Sequence, residues 1–345
     1  STPGKAPPPT RGEEADRSGE PEFMCMPLMP GRCRHWVLSL SLCGVVLLTG
    51  CKGDAIDPAA PASEPVAALQ QLAAHVAGDD LVAYARASVP PDQYARLEAA
   101  WAAGHSRWPL TELPLDGQLL PLLANLSQPD AAKRLQRSFN AQMSGQATGV
   151  RQAAHSMGLF GVQYLRNQAD YSEEERAHYV QLVEVLSRWA AAAPLTDKQR
   201  ATTTITLLTA TASTTGLTTD AQLQAAGMEQ SLRQLGPFLK AVKTALASYG
   251  LPLDTSLREV RGELVSQEGD TAVVHIQYPL ASETIDAQVH MTRRQGHWYL
   301  TRVLEDTDAL LAAADAAKAE QDAAKAAEAA DAANVKDDAS APAKP

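Results

Sequence analysis

The residues best placed to do chemistry lie in the last third of the chain, on two segments whose apolar residues alternate. A turn at 280–281 would place His275 directly opposite Asp286 on the polar face of a hairpin. Gln288 and His290 share that face. A carboxylate can orient a histidine as a general base or as a metal ligand. The sequence supplies neither a nucleophile nor a third ligand beside the pair, so we interpret it as a cross-strand contact.

Trp101, His105 and Trp108 form a second candidate group, spaced for one helical face or its exit. Aromatic side chains of this kind can stack on sugar rings, such as those of peptidoglycan. The chain has few other large core residues, with 4 Phe and 5 Trp among 345 residues. We therefore predict that both tryptophans are core residues.

The sequence lacks the short motifs of common catalytic sites. It has no nucleophile elbow, Gly-rich phosphate loop, HExxH or Ser-x-x-Lys motif. No two histidines of the helical region are three or four residues apart, so no helix offers a metal-binding pair. The formal net charge of −10 argues against a nucleic-acid partner. We expect a protein that is not an enzyme, without catalytic residues, a cofactor or a metal site.

Residues 32–51, RCRHWVLSLSLCGVVLLTGC, begin with a short basic stretch and continue with an apolar run from Trp36 to Leu48. The run is shorter than the about 20 residues that span a bilayer, and it is typical of a signal peptide. The sequence Leu-Leu-Thr-Gly-Cys, from Leu47 to Cys51, resembles the lipobox of bacterial lipoproteins. The resemblance implies that 24–50 is a signal peptide and that Cys51 is lipidated on its sulfur and on its new amino group.

All four cysteines lie at or before Cys51, so the rest of the chain can form neither a disulfide nor a Cys-ligated zinc site. Several acyl chains, such as palmitate, would anchor Cys51 stably, whereas a single chain binds only reversibly. Residue +2 is Lys52, not the Asp that, by resemblance to lipoprotein sorting, favours the inner membrane. We therefore expect the outer membrane, facing the periplasm, rather than the inner membrane.

The mature chain is expected to begin with a flexible connection. Residues 51–63 are polar and rich in Ala and Pro, and they predict a tether. Residues 1–23 lack an initiating Met and precede Met24, so we expect a non-native upstream or disordered segment.

Residues 64–219 have the apolar spacing of a helical domain, interrupted by Gly and Pro. Ser63, Asp79 or Asp80, and Pro91 are predicted helix starts, and Ser172 with Glu175 forms a capping box. Further helices are predicted over 116–126, 129–143, 148–167 and 172–193.

The segment 196–219 contains 11 threonines in 24 residues. We predict a helix whose hydroxyls bond to carbonyls four residues earlier. A strand is the structural alternative, since Thr favours strands. A hydroxyl-lined ligand groove is the functional alternative.

Residues 220–306 predict a helix over 220–249, broken or kinked near Gly236 and Pro237, and then an antiparallel meander. The strands are predicted at 258–267, 271–279, 283–294 and 297–305. This order of elements is similar to that of cystatin and nuclear transport factor 2-like (NTF2-like) domains, and the likeness implies a fold only.

The predicted fold class is α+β. A mainly α-helical N-terminal bundle precedes a small four-stranded antiparallel sheet. Residues 307–345 form an Ala-rich low-complexity tail, helical over 309–333 and disordered from 334 onward.

Location and the missing catalytic motifs together favour a function in binding. We expect a periplasm-facing outer-membrane lipoprotein that acts by protein binding or envelope assembly. Its partners would be the membrane, through lipidated Cys51, and either an envelope protein or a secreted toxin. One alternative is an immunity lipoprotein that neutralises an envelope-targeting antibacterial toxin. Another is an enzyme acting on the cell wall or on lipid.

Replacing the proposed acylated residue tests the signal-peptide interpretation. Cys51→Ser should abolish labelling by radioactive palmitate and leave an uncleaved precursor in the inner membrane, because the thiol is the lipid acceptor. Labelling and membrane fractionation measure both effects, with Cys43→Ser as the control. Undiminished labelling of Cys51→Ser would refute the lipobox assignment.

Overall fold

The computed structural model describes residues 62–112, 116–169 and 171–339. These residues belong to one compact unit. The predicted signal peptide, the lipidation site Cys51 and the upstream segment lie outside the described residues. The protein is α+β: a mainly helical N-terminal part is followed by a four-stranded antiparallel sheet and a long C-terminal helix.

Eleven helices precede the sheet in the described part of the chain. They are α1 (Pro65–Ala77), α2 (Leu81–Ser88), α3 (Pro91–Ala102), α4 (Asp116–Leu126), α5 (Ala131–Gln142), α6 (Ala147–Arg166), α7 (Glu173–Ala192), α8 (Lys198–Thr215), α9 (Asp220–Ala226), α10 (Met228–Ser248) and α11 (Leu253–Arg258), with a 3-10 turn at Leu110–Glu112.

Four of the described helices, α2, α7, α8 and α9, begin with a capping side chain. Asp80 caps α2 by accepting a hydrogen bond from the Ala83 amide at 2.9 Å. Ser172 and Glu175 form the predicted capping box of α7. The predicted Ser63 cap is wrong, because α1 begins at Pro65 with Glu64 as its N-cap. Proline is pre-organised for a first helical position, where its missing N–H costs no hydrogen bond.

The threonine-rich segment is helical, as α8, so the strand alternative is wrong. The hydroxyls of Thr202, Thr203, Thr209 and Thr211 donate to carbonyls four residues earlier at 2.7–3.1 Å. This local bonding satisfies the hydroxyls within the helix itself.

The predicted single helix over 220–249 is two helices, and the break is at Gly227 rather than at Gly236 and Pro237. Gly227 has φ +79°, a conformation that glycine adopts at little steric cost. Gly236 instead allows a close contact, since a Cβ there would lie 2.6 Å from the Asp79 carbonyl oxygen. Helix α10 continues through Pro237.

The sheet is a meander of β1 (Arg261–Glu268), β2 (Thr271–Leu280), β3 (Glu283–Arg294) and β4 (His297–Leu300), in that order. The predicted inner face is confirmed, because alternate residues from Ala272 to Leu280 are buried. The predicted strand start at 258 is wrong, because α11 occupies 253–258 and buries Leu253 and Leu257.

Strand β4 ends at Leu300, and the predicted extension to 305 is wrong. The final helix α12 (Thr301–Ala339) begins there. Val303, Leu304, Thr307 and Leu311 are buried on it at helical spacing. The helix also extends beyond the predicted end of order at 334.

The apolar core is continuous from the helices to the sheet. Buried residues of 64–219 and of 220–306 belong to one cluster. The predicted division into two domains at 219 stays a prediction. Trp101 and Trp108 are fully buried, which confirms that they are core residues. The Trp101 indole donates to the Leu223 carbonyl at 3.0 Å.

A buried lysine joins four elements of this core. Lys243 of α10 donates to the carbonyls of Val76 and Ala77, at the C-terminal end of α1, at 2.7 and 3.2 Å. Its ammonium also lies 2.8 Å from Asp79, before α2, and 2.6 Å from Asp254 of α11. The lysine side chain is 3% exposed, so the cation depends on these partners in place of water.

Removing this cation should destabilise the fold severely. Lys243→Met would leave two carboxylates and the last carbonyls of α1 without their partner, and breaking such a buried pair costs about 3–5 kcal/mol. Urea unfolding at neutral pH measures the loss. Lys240→Met, at an exposed position of the same helix, is the control. Equal stability of the two variants would show that Lys243 is not a structural centre.

Candidate functional site

The predicted pair of His275 and Asp286 is present, but its register is wrong by two residues. His275 lies opposite Gln288, and Asp286 lies opposite Gln277. Leu280 and Glu283 form the last pair of the hairpin. The turn between them is at 281–282, one position later than predicted. His275 Nε2 still reaches Asp286 Oδ1 diagonally, at 2.9 Å.

Asp286 is held by two side chains of β2. Gln277 donates to its second oxygen at 2.6 Å. Hydrogen bonds from Gln277 and then His275 lower the pKa of the Asp286 carboxyl. The Asp286 side chain is 55% exposed, and such surface pairs contribute about 1 kcal/mol or less. Within the described ranges, no three His, Cys, Asp or Glu residues are grouped as metal ligands.

The backbone of Asp286 is bound by α7. The Gln181 side-chain amide donates to the Asp286 carbonyl at 2.7 Å, and its oxygen accepts from the Asp286 N–H at 3.1 Å. The glutamine thus makes the two hydrogen bonds that a neighbouring strand would make at this edge of β3. We call this contact the Gln181 clamp.

A cavity of about 220 Å³ lies farther along the same edge, between the clamp and the start of β4. The Leu69, Ile276, Val289 and Leu300 side chains form its apolar part. Its polar lining comes from the first turns of α7 and α12 and from β3, and comprises Ser172, Glu175, His178, Tyr179, Gln288, His290, Thr301, Arg302 and Glu305.

His178 is a buried titratable residue of the cavity wall. It is 3% exposed and makes a 2.8 Å hydrogen bond to the Tyr278 hydroxyl. Burial lowers the pKa of His178 to about 4, so the imidazole is neutral at physiological pH. Burial also raises the pKa of the adjacent Tyr179 phenol well above its ordinary value. Neither group is ionised near neutral pH.

Arg302 carries the positive charge of the wall and is paired with Asp306, one turn later, at 3.0 Å. Glu112, from the 3-10 turn, is also buried and is influenced by both charges. Burial and the negative charge of Asp306 raise the pKa of Glu112 to about 7, while Arg302 acts to lower it. The group formed by Glu112, Arg302 and Asp306 therefore gains a negative charge on Glu112 as the pH rises through neutrality.

The structure brings together residues that the sequence search did not associate. His178 and Gln181 of α7 lie at the same strand edge as Arg302 of α12, although the two helices are far apart along the chain. The i,i+4 spacing of Arg302 and Asp306 is a helical signal, but Arg302 falls in the segment predicted as a strand. His178 carried no signal beyond its residue type. His105 remains beside the buried tryptophans, away from this edge.

No protein-family model matches the chain, and comparison with curated proteins and with solved structures found no match. No helix among residues 62–112, 116–169 and 171–339 is long and apolar enough to cross a membrane.

The neutral state of His178 predicts a pH-dependent stability. In the unfolded chain the imidazole binds a proton near pH 6.5, and in the folded chain only near pH 4. Acidification from 6.5 to 4 should therefore remove up to about 3 kcal/mol of folding free energy.

Urea unfolding of His178→Gln over this pH range should show a flatter profile than the parent chain. His155→Gln, at an exposed position of α6, should keep the parent slope. A slope unchanged in His178→Gln would contradict the assignment of a neutral buried imidazole.

Proposed function

We propose that the protein is a lipid-anchored envelope protein that binds an extended segment of a protein partner in the cavity at the edge of β3. Its action is binding rather than catalysis. The observation that carries the proposal is that Gln288–His290 of β3 lie in the wall of this cavity and pair with β2 on one side, whereas the β4 ladder on the other side begins only at Met291.

The direction of the backbone groups supports this proposal. The Asp286 N–H and C=O point away from β2, because both bond to Gln181. Every second residue of a strand repeats this direction, so Gln288 and His290 direct their backbone groups the same way. The ladder with β4 begins only at Met291. A short peptide strand would find backbone partners between the clamp and β4.

The cavity chemistry also suits a peptide. A bound strand directs alternate side chains to opposite sides, and Leu69, Ile276 and Leu300 offer an apolar surface on one of them. Thr301 and His290 offer polar groups at the rim. The volume of about 220 Å³ restricts the occupant to a few residues.

Location supports the same class of function. The lipobox resemblance at Leu47–Cys51 predicts an acylated Cys51 at the outer membrane, facing the periplasm. A secreted toxin as the bound protein would make this chain an immunity lipoprotein, whereas a resident complex would give it an assembly role. An enzyme of the cell wall or of lipid would have to work with His275 and Asp286, and no nucleophile accompanies that pair within the described residues.

The experiment is an affinity capture with a blocked site as its reference. The full chain is immobilised and challenged with solubilised envelope and with proteins secreted by competing bacteria. His290→Trp places a bulky side chain at the cavity rim, and Gln267→Trp places the same side chain on the distant strand β1.

A specific partner should bind the parent chain and Gln267→Trp, and should bind His290→Trp at least about tenfold more weakly, a loss of about 1.4 kcal/mol. Melting curves check that both variants are folded. Mass spectrometry then identifies a secreted hydrolase or a resident envelope protein. Retention of every captured protein by His290→Trp would refute the proposed site.

A further inference from the structure

Helix α6 packs on the core side through small residues. A Cβ at Gly158 would lie 2.5 Å from Ser187 of α7, and one at Gly161 would lie 3.0 Å from Val183. These contacts fix an antiparallel helix pair with close backbones. The α7-facing side of α6 is thus defined by Gly158, Gly161 and the buried Val162 and Leu165.

The opposite side of α6 carries large exposed apolar side chains among polar ones. Phe160 is two residues, or about 200°, around the helix from Gly158, and Met157 and Tyr164 share its side at i−3 and i+4. Met157, Leu159 and Phe160 are 72, 63 and 70% exposed. Phe160 stacks on Tyr164 with ring centroids 6.4 Å apart. We call Met157, Leu159, Phe160 and Tyr164 the outer ridge.

The outer ridge lies in the most basic part of the chain. Residues 131–169 contain five cationic residues and no Asp or Glu, in a protein of net charge −10. The five are Lys133, Arg134, Arg137, Arg151 and Arg166. Arg151 and Arg166 lie near the two ends of α6, are both exposed, and are about 180° and 120° around the helix from Phe160. A helix that combines an exposed apolar ridge with arginines near both ends and no acids is complementary to an anionic, apolar partner.

We propose that the outer ridge inserts into the headgroup region of a bilayer containing anionic phospholipid. The ridge is convex, with side chains spread over about 160° of the helix circumference, and a fluid lipid interface can surround such a shape. This inference rests on the proposed attachment at Cys51. Residues 52–61 are ten in number and reach at most about 35 Å, so the folded body stays beside the bilayer.

Fluorescence quenching by lipids with brominated acyl chains tests the orientation. Phe160→Trp places a reporter on the outer ridge. Leu264→Trp places one on β1, where Leu264 is an exposed apolar residue outside α6. The full chain, purified from membranes, is reconstituted in brominated phosphatidylcholine vesicles with or without phosphatidylglycerol. The emission added by each introduced tryptophan is taken relative to the parent chain.

The proposal expects loss of the emission added by Phe160→Trp in vesicles with phosphatidylglycerol, recovery of that emission at high salt, and no loss for Leu264→Trp. Full emission from Phe160→Trp in a chain that co-sediments with vesicles would overturn it. The proposal would also be overturned if the indole of Phe160→Trp were shielded only after a protein partner is added. Failure of the parent chain to co-sediment would instead overturn the attachment at Cys51. Capture of a partner at the cavity is measured separately.

Discussion

The buried ammonium of Lys243 is the interaction on which the arrangement of elements depends. Helix α1 must end in the interior because its residues pack both on α2 and on the sheet, and the last carbonyls of a buried helix need donors. Lys243 supplies them from α10 and is neutralised by Asp79 and Asp254. The connection between α1 and α2 also lies close to α10, because the Asp79 carbonyl contacts Gly236 where a side chain would not fit. A single cation thus fixes α1, α2, α10 and α11 relative to one another.

The position of α1 and α7 against the sheet then creates the cavity. Helix α7 covers β3 and closes part of its edge through the Gln181 clamp, while β4 is only four residues long and closes another part. Between these two contacts β3 pairs with β2 but has no neighbouring strand on its other side. The cavity is therefore a consequence of a short last strand, which is short because the helical pattern of Val303, Leu304, Thr307 and Leu311 begins immediately after it.

Local signals in the sequence predicted much of this fold. The α+β class, helix α4 at 116–126, the capping box of α7 and the helical threonine segment all follow from interactions within a few residues. The break at Gly227 was missed because Gly236 and Pro237 resemble a helix end, and only the contact with Asp79 explains that glycine. The register was wrong by two residues because both alternatives bury the same faces, so alternation alone cannot distinguish them. The candidate site depends on three distant segments meeting, and no local pattern encodes that.

The outer strands of the sheet are β1 and β4, and the short β4 leaves part of β3 without a strand on that side. On β1 the pairing shifts between Leu264 and Ser266, which leaves Val265 as an extra residue, and on β3 the Gln181 clamp occupies the backbone groups of Asp286. Long, flat strand edges pair from one molecule to another. Neither the β1 edge nor the open part of β3 offers an uninterrupted ladder, which disfavours strand pairing between molecules at both places.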